Sequence, residues 1–512
     1  MRGGVLPFRG TGADALRYVE ANRSRADDYY LGAEATVAQF VALDGSGAVT
    51  AELSLDPAAY AAWVDWMNPL TGEQMGRPRR AGSDRQASPR FMEMVINAPK
   101  SLSIAAALHP EVSDALDAAQ QDALSEIRRW LAQYSVTRVG SLGAQEVVPV
   151  ESMQVVGITH RTSRAGDPHR HIHMQIGTRV FAAGKWRGLD TAALFRQQGA
   201  IRALGTAVIA ASPELASVLD RHGLTLDPVS GEVVELEPFN ALMSKRGEQV
   251  RRNLDRLEAE WEAAHPGESM GPVVASRLMA EAWAYQRPAK KPTTLREEEA
   301  WVSELREAGY DPEHLARVPA RAPASTDDLS VQRIASRALD RCAAGESAWT
   351  RHTVQEHATE IITEAGVRGT PAELRELIAV ATTLALQDCF SILPPDTVTP
   401  EHVAHLTSLR VVQAETELPI SFDTPNVDAL RAAFDVYKGA ETPMINSITA
   451  EQERIDAMLE FVAQSGANIV ALALSDAGMP SGCEDRVAAA VGLVDTLTGA
   501  GIDAGRIFVD PV

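Results

Sequence analysis

"HRTSRAGDPHRHIHMQIG", residues 160–177, holds four of the 12 histidines of the chain. Two β-rich runs, "MQVVGITH" (153–160) and "HIHMQIGTRVFAAG" (171–184), lie on either side of its polar, proline-containing part. Two such runs predict an antiparallel hairpin with an extended loop. The hairpin would place His160, at the end of the first run, beside His171 and His173 at the start of the second.

The spacing of these histidines limits how many can share one metal ion. His169, His171 and His173 face the same side of a strand, but three such positions span roughly 13 Å, whereas imidazole binds metal at about 2.1 Å. We therefore expect His171 and His173 to share an ion, with His160 as the third ligand. Three ligands leave coordination positions open for water and substrate, which is typical of a catalytic metal. The alternative is a set of core or surface histidines that bind no metal.

The segments around the hairpin mix helix and strand patterns, and the segments after it are helical. This order predicts an α+β domain with an antiparallel sheet and helices, followed by a helical region. The expected elements are a helix over 11–30 with Thr11 as N-cap, a strand, turn (97–99) and helix within 90–109, a helix over 111–134, a helix over 191–223 with a break near Pro213, and helices over 240–410 with breaks at 265–272, 286–294 and 317–325.

The last hundred residues have a different pattern of apolar and helical segments. Helical stretches separate four short apolar runs, "LPISFD" (418–423), "TPMINSI" (442–448), "ANIVALALS" (467–475) and "RIFVDPV" (506–512). Such a βαβαβαβ series predicts parallel strands joined by crossover helices.

Composition bounds the class of protein. The 512 residues carry a net charge of −21, which argues against non-specific coating of nucleic acid but permits a local basic groove. Residues 76–90 are rich in arginine, although a solvated loop would have the same composition. The three cysteines have no paired spacing and are interpreted as buried free thiols, and no stretch predicts a membrane span or a secretory signal. We therefore expect a cytoplasmic protein.

The histidine run also has the form of a known motif. From His160 it reads H-x3-R-x2-DP-x2-H-x-H, which resembles the three-histidine motif of conjugative relaxases of the TrwC type, the MobF group. "FMEMVINAPKSLS" (91–103) resembles the strand-turn segment of this family, and "YVEANRSRADDYY" (18–30) resembles its tyrosine-bearing start. The resemblance covers roughly residues 1–300, and the region up to about 416 resembles the part that leads towards the helicase of longer members.

The resemblance implies a site- and strand-specific DNA relaxase that nicks at an origin of transfer in conjugation. Tyr18 would attack the phosphodiester and form a 5′-phosphotyrosine, and Tyr29 or Tyr30 would act second, with the choice between them open. The metal would stabilise charge on the phosphate oxygens. Tyr18 could instead fill the core between its apolar neighbours. Glu93 lies where the family has an acidic partner of a ligand histidine, or it is a solvent-facing strand residue.

The implied cofactor is one divalent ion, and the implied partner is single-stranded DNA at the origin of transfer, with accessory conjugation proteins as further candidates. Magnesium or manganese would serve in cells, while three imidazoles favour zinc or nickel in purified protein. The candidate DNA contacts are cationic residues that could equally be ordinary surface cations, namely Arg77, Arg79, Arg80, Lys100, Arg164, Lys245 and Arg246.

The C-terminal runs resemble strand ends of pterin-binding methyltetrahydrofolate:corrinoid methyltransferases, whose fold is a (β/α)₈ barrel. The resemblance implies a partial (β/α) barrel here, because the four strands are half of the eight that close such a barrel. By that resemblance, Asp423, Asn446 and Asp510 would contact the pterin. The chain is accordingly predicted to comprise a relaxase domain (1–300), a helical region (301–417) and a partial pterin-binding barrel (418–512). Three functions stay open: a metal-dependent DNA strand transferase, which we favour, a pterin-dependent methyltransferase, and a DNA-binding scaffold with an inactive nuclease.

Overall fold

The computed structural model describes residues 4–22, 38–79, 86–141, 144–163, 165–286, 295–312, 322–391, 400, 406–407, 412, 416–424, 426–476, 478 and 482–510. The chain divides into two compact units, one formed by Met1–Leu329 with Thr359–Leu377 and the other by Ser330–Ala358 with Ile378–Val512. This division differs from the three predicted segments, whose boundaries stay a prediction.

The bounds of the elements are as follows. The strands are β1 (Leu6–Phe8), β2 (Ala38–Asp44), β3 (Val49–Leu55), β4 (Phe91–Asn97), β5 (Val136–Ser141), β6 (Ala144–Pro149), β7 (Ser152–Thr162), β8 (Pro168–Gly177), β9 (Arg179–Ala182), β10 (Lys185–Gly188), β11 (Ala324–Ser325), β12 (Val367–Arg368), β13 (Phe390–Ser391), β14 (Leu406–Thr407), β15 (Ser421–Asp423), β16 (Met444–Ala450), β17 (Asn468–Ser475) and β18 (Ile507–Asp510). The α-helices are α1 (Gly12–Asn22), α2 (Pro57–Val64), α3 (Lys100–Leu108), α4 (Pro110–Tyr134), α5 (Thr191–Arg196), α6 (Gln198–Ala211), α7 (Pro213–Arg221), α8 (Lys245–Ala264), α9 (Pro272–Ala284), α10 (Leu295–Glu307), α11 (Val331–Gly345), α12 (Arg351–Glu364), α13 (Pro371–Leu386), α14 (Val427–Val436), α15 (Gln452–Ser465) and α16 (Cys483–Gly499).

A large antiparallel sheet carries the histidine strands. Among the described residues it has eight strands, in the order β1-β4-β8-β7-β2-β3, with β9 paired to β7 and β10 paired to β9. The predicted hairpin is confirmed, since β7 and β8 pair from Val155↔Ile176 to Thr162↔Pro168. β4 pairs with the other side of β8. Both histidine strands are therefore internal, and hydrogen bonds on both sides fix their backbones.

The connection between β7 and β8 is shorter than the predicted extended loop, because both strands run further than the apolar pattern indicates and leave residues 163–167 between them. Ser163 closes this turn. Its N–H donates to the carbonyl of Asp167 at 2.9 Å, and its hydroxyl accepts from the Asp167 N–H at 3.2 Å. Ser163 and Asp167 provide hydrogen-bond partners for backbone groups of the turn that do not pair between the strands. Polar residues at these positions therefore do not indicate a long loop.

Helices cover the sheet and largely match the prediction. The segment over 90–109 forms β4, a turn and α3, and α4 extends the helix expected over 111–134 by one residue. Leu116, Leu124 and Ile127 are fully buried on one side of α4 and recur at helical spacing. The α+β fold with an antiparallel sheet is thus confirmed.

The helix predicted over 191–223 has one break more than expected. Besides Pro213, it is interrupted at Gln197, where α5 ends and α6 begins. The buried Gln197 side chain accepts from Trp130 Nε1 at 3.2 Å and donates to the carbonyl of Tyr134 at 2.9 Å. A buried amide that ties two elements together gives no apolar-pattern signal, so the sequence did not indicate this break.

Asp117 on α4 joins the helix to both histidine strands. Its carboxylate accepts from Arg170 on β8, with Nη1 at 2.9 Å from both oxygens, and from Arg161 Nη2 on β7 at 2.8 Å. The Arg170 side chain is 8% exposed and that of Asp117 is 24% exposed. The pair is therefore buried enough for the loss of either partner to be costly.

We expect Asp117→Asn to lower the free energy of unfolding of the first unit by about 2 kcal/mol, because Arg170 would stay buried without a compensating charge. The urea midpoint of this unit's transition measures the change. Asp114→Asn, at an exposed position of the same helix, is the matched control and should leave the midpoint within about 0.5 kcal/mol of the parent. Equal effects of the two substitutions would contradict the prediction.

The C-terminal unit contains the predicted parallel series. β15, β16, β17 and β18 form a parallel sheet in that order, and α14, α15 and α16 connect successive strands. Ile445 and Ile469 are register partners on one face of the sheet, where they pack with buried helix residues such as Leu493. The predicted partial (β/α) arrangement is therefore confirmed for the described residues.

The cysteines were interpreted as buried thiols, which is correct for Cys342 and wrong for Cys483. Cys483 is exposed because it is the first residue of α16, and Cys389 is partly buried. All three are free.

No single helix in the described part of the chain is long and apolar enough to cross a membrane, although the bent pair α6 and α7 passes on length and composition alone.

Candidate active site

Three imidazole rings meet on one face of the large sheet. His160 on β7 lies directly opposite His171 on β8, and His173 follows two residues along the same face of β8. The ring centroids are 5.5 Å apart for His160 and His171, 5.1 Å for His160 and His173, and 5.0 Å for His171 and His173. The structure thus brings together the three histidines that the sequence singles out, while their role as ligands stays a prediction.

His171 and His173 each have a partner for one ring nitrogen. His171 Nδ1 lies 2.8 Å from the carbonyl oxygen of His169, and His173 Nδ1 lies 3.0 Å from Glu93 Oε1. A carbonyl or a carboxylate can only accept, so each Nδ1 carries the proton in these contacts. In the neutral form of either ring, Nε2 then keeps its lone pair, which is the form that binds a metal.

Three imidazole rings are suitable ligands for a metal ion, but their nitrogen atoms do not converge on one point in this structure. Three imidazoles on one ion have ring centroids roughly 5 Å apart, and the observed spacings match that value. Among the described residues, however, no group of three or more His, Cys, Asp or Glu side chains is placed to hold an ion as it stands. Binding by His160, His171 and His173 therefore requires a change of side-chain position within this group.

Burial shifts the pKa of two of these histidines and of the neighbouring carboxyl group. Burial, followed by the neighbouring imidazoles, lowers the pKa of His171 well below its ordinary value. Burial, together with Lys100, lowers the pKa of His169 to about 3. Burial raises the pKa of Glu93, but the hydrogen bond and charge of His173 outweigh it, and the net pKa is lowered. Glu93 is therefore a largely buried carboxylate beside His173 rather than the solvent-facing residue of the alternative interpretation.

Tyr18 lies on α1, next to this group. Its ring meets that of His173 edge to face, with centroids 6.3 Å apart. The Tyr18 ring is half-buried and also packs against the core cluster that contains Val19 and Tyr60. Tyr18 therefore both fills part of the core and lies close to the histidines. Tyr29 and Tyr30 lie outside the described residues.

The start of α1, the helix that carries Tyr18, is capped by local hydrogen bonds. Thr11 and Asp14 cap the helix reciprocally, with the Thr11 N–H 2.8 Å from Asp14 Oδ2 and the Asp14 N–H 3.2 Å from Thr11 Oγ1. The Gly12 N–H donates to Asp65 Oδ1 at 3.1 Å. The predicted N-cap at Thr11 is confirmed.

The family model described as TrwC relaxase matches residues 12–308, more than half of the chain. The chain belongs to the TrwC relaxase family. Similar solved structures include the conjugative relaxase TrwC in complex with OriT DNA in a copper-bound form, at 20% identity and a TM-score of 0.44, and in a metal-bound form, at 19% and 0.43. Each match covers 60% of this chain and 99% of the chain in the solved structure.

A second model, described as pterin binding enzyme, matches residues 399–512 of this TrwC-family chain. The methylcorrinoid:tetrahydrofolate methyltransferase of Eubacterium limosum is 27% identical over 105 residues. That match covers 20% of this chain and 38% of the methyltransferase, so the chain spans well under half the length of this relative. The C-terminal segment thus matches the pterin-binding family model and resembles part of a methyltransferase.

Three of the predicted DNA contacts in this relaxase-family chain already have internal partners. Lys100 Nζ donates to the carbonyl of Pro168 at 2.8 Å, and burial lowers the pKa of Lys100 to about 8. Lys245 Nζ lies 2.7 Å from Glu304 Oε2. Arg246 is buried and donates to the carbonyl of Trp283 at 2.6 Å. A phosphate would have to compete with these partners.

The remaining predicted cations are placed differently. Arg77 lines an open surface pocket together with Asp65 and Arg90. The backbone N–H of Arg79 donates to the Ser88 hydroxyl at 3.1 Å. Arg80 and Arg164 lie outside the described residues. Arg77 is therefore the predicted contact whose position fits a surface groove best.

The predicted pterin contacts share one face of the C-terminal sheet. Asp423 and Asn446 are register partners on β15 and β16. Asp510 ends β18 and lies two residues beyond Phe508. Phe508 pairs with Val470 on β17, and Val470 pairs with Asn446 on β16, so Phe508 and Asn446 lie at the same level of the sheet. Since side chains alternate along strands, all three predicted residues face the same side. Their role in binding a pterin stays a prediction.

Sequence reasoning missed two buried residues of the TrwC-family site. Gln175 follows His173 on the same face of β8, and its amide lies 3.2 Å from Glu93 Oε2. Tyr60 on α2 donates its hydroxyl to Gln175 Oε1 at 2.9 Å. The alternation His171, His173, Gln175 could have indicated Gln175, whereas no local pattern points to Tyr60.

Proposed function

We propose that this chain cuts one strand of DNA at an origin of transfer by transesterification, for conjugative plasmid transfer. Tyr18 is the nucleophile, and His160, His171 and His173 hold one divalent metal ion. The observation that carries the proposal is the edge-to-face contact of Tyr18 with His173, 6.3 Å between ring centroids, within the three-imidazole group. A phenol next to a candidate metal site is the arrangement that such a reaction needs.

In the proposed reaction the Tyr18 oxygen attacks the phosphorus. A P–O bond to tyrosine forms, the P–O3′ bond breaks, and the 3′-oxygen leaves to become a hydroxyl. The phenol, whose ordinary pKa is about 10, must lose its proton during attack. When bound, the metal would withdraw charge from the non-bridging phosphate oxygens. Tyr29 or Tyr30 would serve in the second transfer.

The metal is proposed to be magnesium or manganese in cells, and zinc or nickel is an option for purified protein, since imidazole donors favour the later first-row metals. Single-stranded DNA is the proposed partner in the cytoplasm, with accessory conjugation proteins as further candidates. Phosphate contacts from cations such as Arg77 and Lys245 would set the register of the strand without reading its sequence.

A nicking assay tests this proposal. We expect the protein to convert supercoiled plasmid that carries the cognate origin into open circles, and the conversion to stop with chelator and resume with added Mn²⁺. Tight origin binding with no nicking at any metal concentration would favour the alternative of a DNA-binding scaffold. Plasmid without the origin is the control for non-specific nuclease activity.

The alternative function is a pterin-dependent methyltransferase, and the match of the C-terminal segment to the pterin-binding model favours keeping it. Asp423, Asn446 and Asp510 are its proposed pterin contacts. Four strands form half of a closed barrel, so we propose pterin binding rather than independent methyl transfer for these residues. Calorimetry with methyltetrahydrofolate tests this alternative separately from nicking.

A further inference from the structure

We propose that Gln175 and Tyr60 are positioning residues that orient His173 for metal binding by acting through Glu93. This inference rests on the proposed metal site. It assigns a role to two buried polar side chains that are not themselves the predicted nucleophile or ligands, and it makes α2 a structural support of the site.

The four side chains form one continuous chain of polar contacts. Tyr60 Oη donates to Gln175 Oε1 at 2.9 Å, and Gln175 Nε2 donates to Glu93 Oε2 at 3.2 Å. The other carboxylate oxygen, Glu93 Oε1, lies 3.0 Å from His173 Nδ1. Glu93 and Gln175 are also register partners on β4 and β8, so the backbone ladder holds their side chains on the same face.

The direction of donation along this chain is determined by its chemistry. The Glu93 carboxylate can only accept, so the NH₂ group of Gln175 must face it, because the amide oxygen would be repelled there. The oxygen of Gln175 therefore faces Tyr60, whose phenol donates. At the other end, the same carboxylate selects the Nδ1–H tautomer of His173 and leaves Nε2 with its lone pair.

Burial makes the chain difficult to replace with water. Tyr60 and Gln175 are both 0% exposed. If the Gln175 amide is removed, Glu93 Oε2 loses its donor, and the carboxylate can rotate away from His173. The His173 ring would then sample both tautomers and more orientations, and it would bind the metal less tightly. Partners of ligand histidines typically contribute about 10- to 100-fold to metal affinity.

Metal affinity of the full chain tests the proposal, with Mn²⁺ and Ni²⁺ as probes in calorimetry. We expect Gln175→Leu to weaken binding by about 10-fold or more, and Tyr60→Phe, one contact further away, by about threefold. Nicking by both variants should recover towards the parent rate at saturating metal. If the parent binds neither ion, the proposed metal site fails. If it binds and Gln175→Leu binds equally well, the positioning role alone is overturned.

Gln154→Leu is the matched control for a purely structural effect. Gln154 is also a buried glutamine of this sheet, and it accepts from Trp63 Nε1 at 3.1 Å and donates to Asn68 Oδ1 at 3.2 Å, outside the chain described above. We expect it to lower thermal stability as Gln175→Leu does, with unchanged metal affinity. A comparable loss of affinity in this control would overturn the proposal.

A double-mutant cycle tests whether Gln175 acts through Glu93. If it does, Gln175→Leu should weaken metal binding further by less than about twofold once Glu93→Gln is present, because the contact that it supports is already lost. Additive effects of the two substitutions on metal affinity would instead mean that Gln175 acts by another route, which contradicts the proposal.

Discussion

Tyr18→Phe is expected to abolish the covalent protein–DNA adduct while leaving metal binding intact. The substitution removes only the hydroxyl, so the ring keeps its packing against the core cluster and its edge-to-face contact with His173. Without the attacking oxygen, no bond to phosphorus can form, and adduct yield should fall at least about a thousandfold, which corresponds to roughly 4 kcal/mol in barrier height. A labelled origin oligonucleotide on a denaturing gel measures the adduct.

Tyr134→Phe is the matched control for this prediction. Tyr134 ends α4, is half-buried like Tyr18, and packs against Trp130 with ring centroids 4.6 Å apart. The control should form adduct at the parent level. An unchanged adduct yield in Tyr18→Phe would remove Tyr18 from the role and direct attention to Tyr29 and Tyr30, the other tyrosines of the N-terminal motif.

The sequence predicts the face of the sheet that carries the histidines because alternation along a strand is a strong signal. His171 and His173 share a face by period two alone, and a hairpin brings His160 to them. The pairing of His160 with His171 depends on where the turn closes, and the strands extend to leave only residues 163–167 between them. The polar composition of that turn concealed its length, so the neighbourhood of the rings was predictable and the exact register was not.

Residues that reach the site from distant parts of the chain were harder to predict. Glu93 was found by resemblance, and its contact with His173 depends on the pairing of β4 with β8. Tyr60 lies 115 positions from Gln175 in the sequence, and a tyrosine in an apolar helix is predicted to be a core residue. Its hydroxyl acquires a partner only in the folded protein. Hydrogen bonds between distant elements leave no periodic trace, which is why sequence patterns miss them.

Arginine and lysine positions show the same limit. Lys100 and Arg246 were predicted to be surface cations, but the fold half-buries Lys100, buries Arg246 and gives both backbone carbonyls as partners. A long side chain can bury its stem and deliver its charge to an internal acceptor, and the sequence gives no sign of that choice. The parallel C-terminal strands, by contrast, were predictable, since short apolar runs separated by helices have few other arrangements.

Replacing any one of His160, His171 and His173 by alanine is expected to abolish both metal binding and cleavage. Two remaining imidazoles would leave the ion with a weak site, so metal stoichiometry should fall from one per chain to none at micromolar metal, and adduct yield at least about a thousandfold, roughly 4 kcal/mol. Because the three rings would act as one unit, combining two substitutions should cost no more than one. Inductively coupled plasma mass spectrometry and the oligonucleotide assay measure the two quantities.

His169→Ala is the matched control for this prediction, because His169 is a neighbouring histidine that is not a predicted ligand. The His169 ring stacks on His171 with centroids 4.5 Å apart, so it is as close to the group as its members are to each other. Yet three consecutive same-face positions of one strand reach too far for a single ion. The control should therefore keep its metal and most of its activity. If His169→Ala loses the ion while His160→Ala retains it, the ligands come from β8 alone, and the site that spans two strands is wrong.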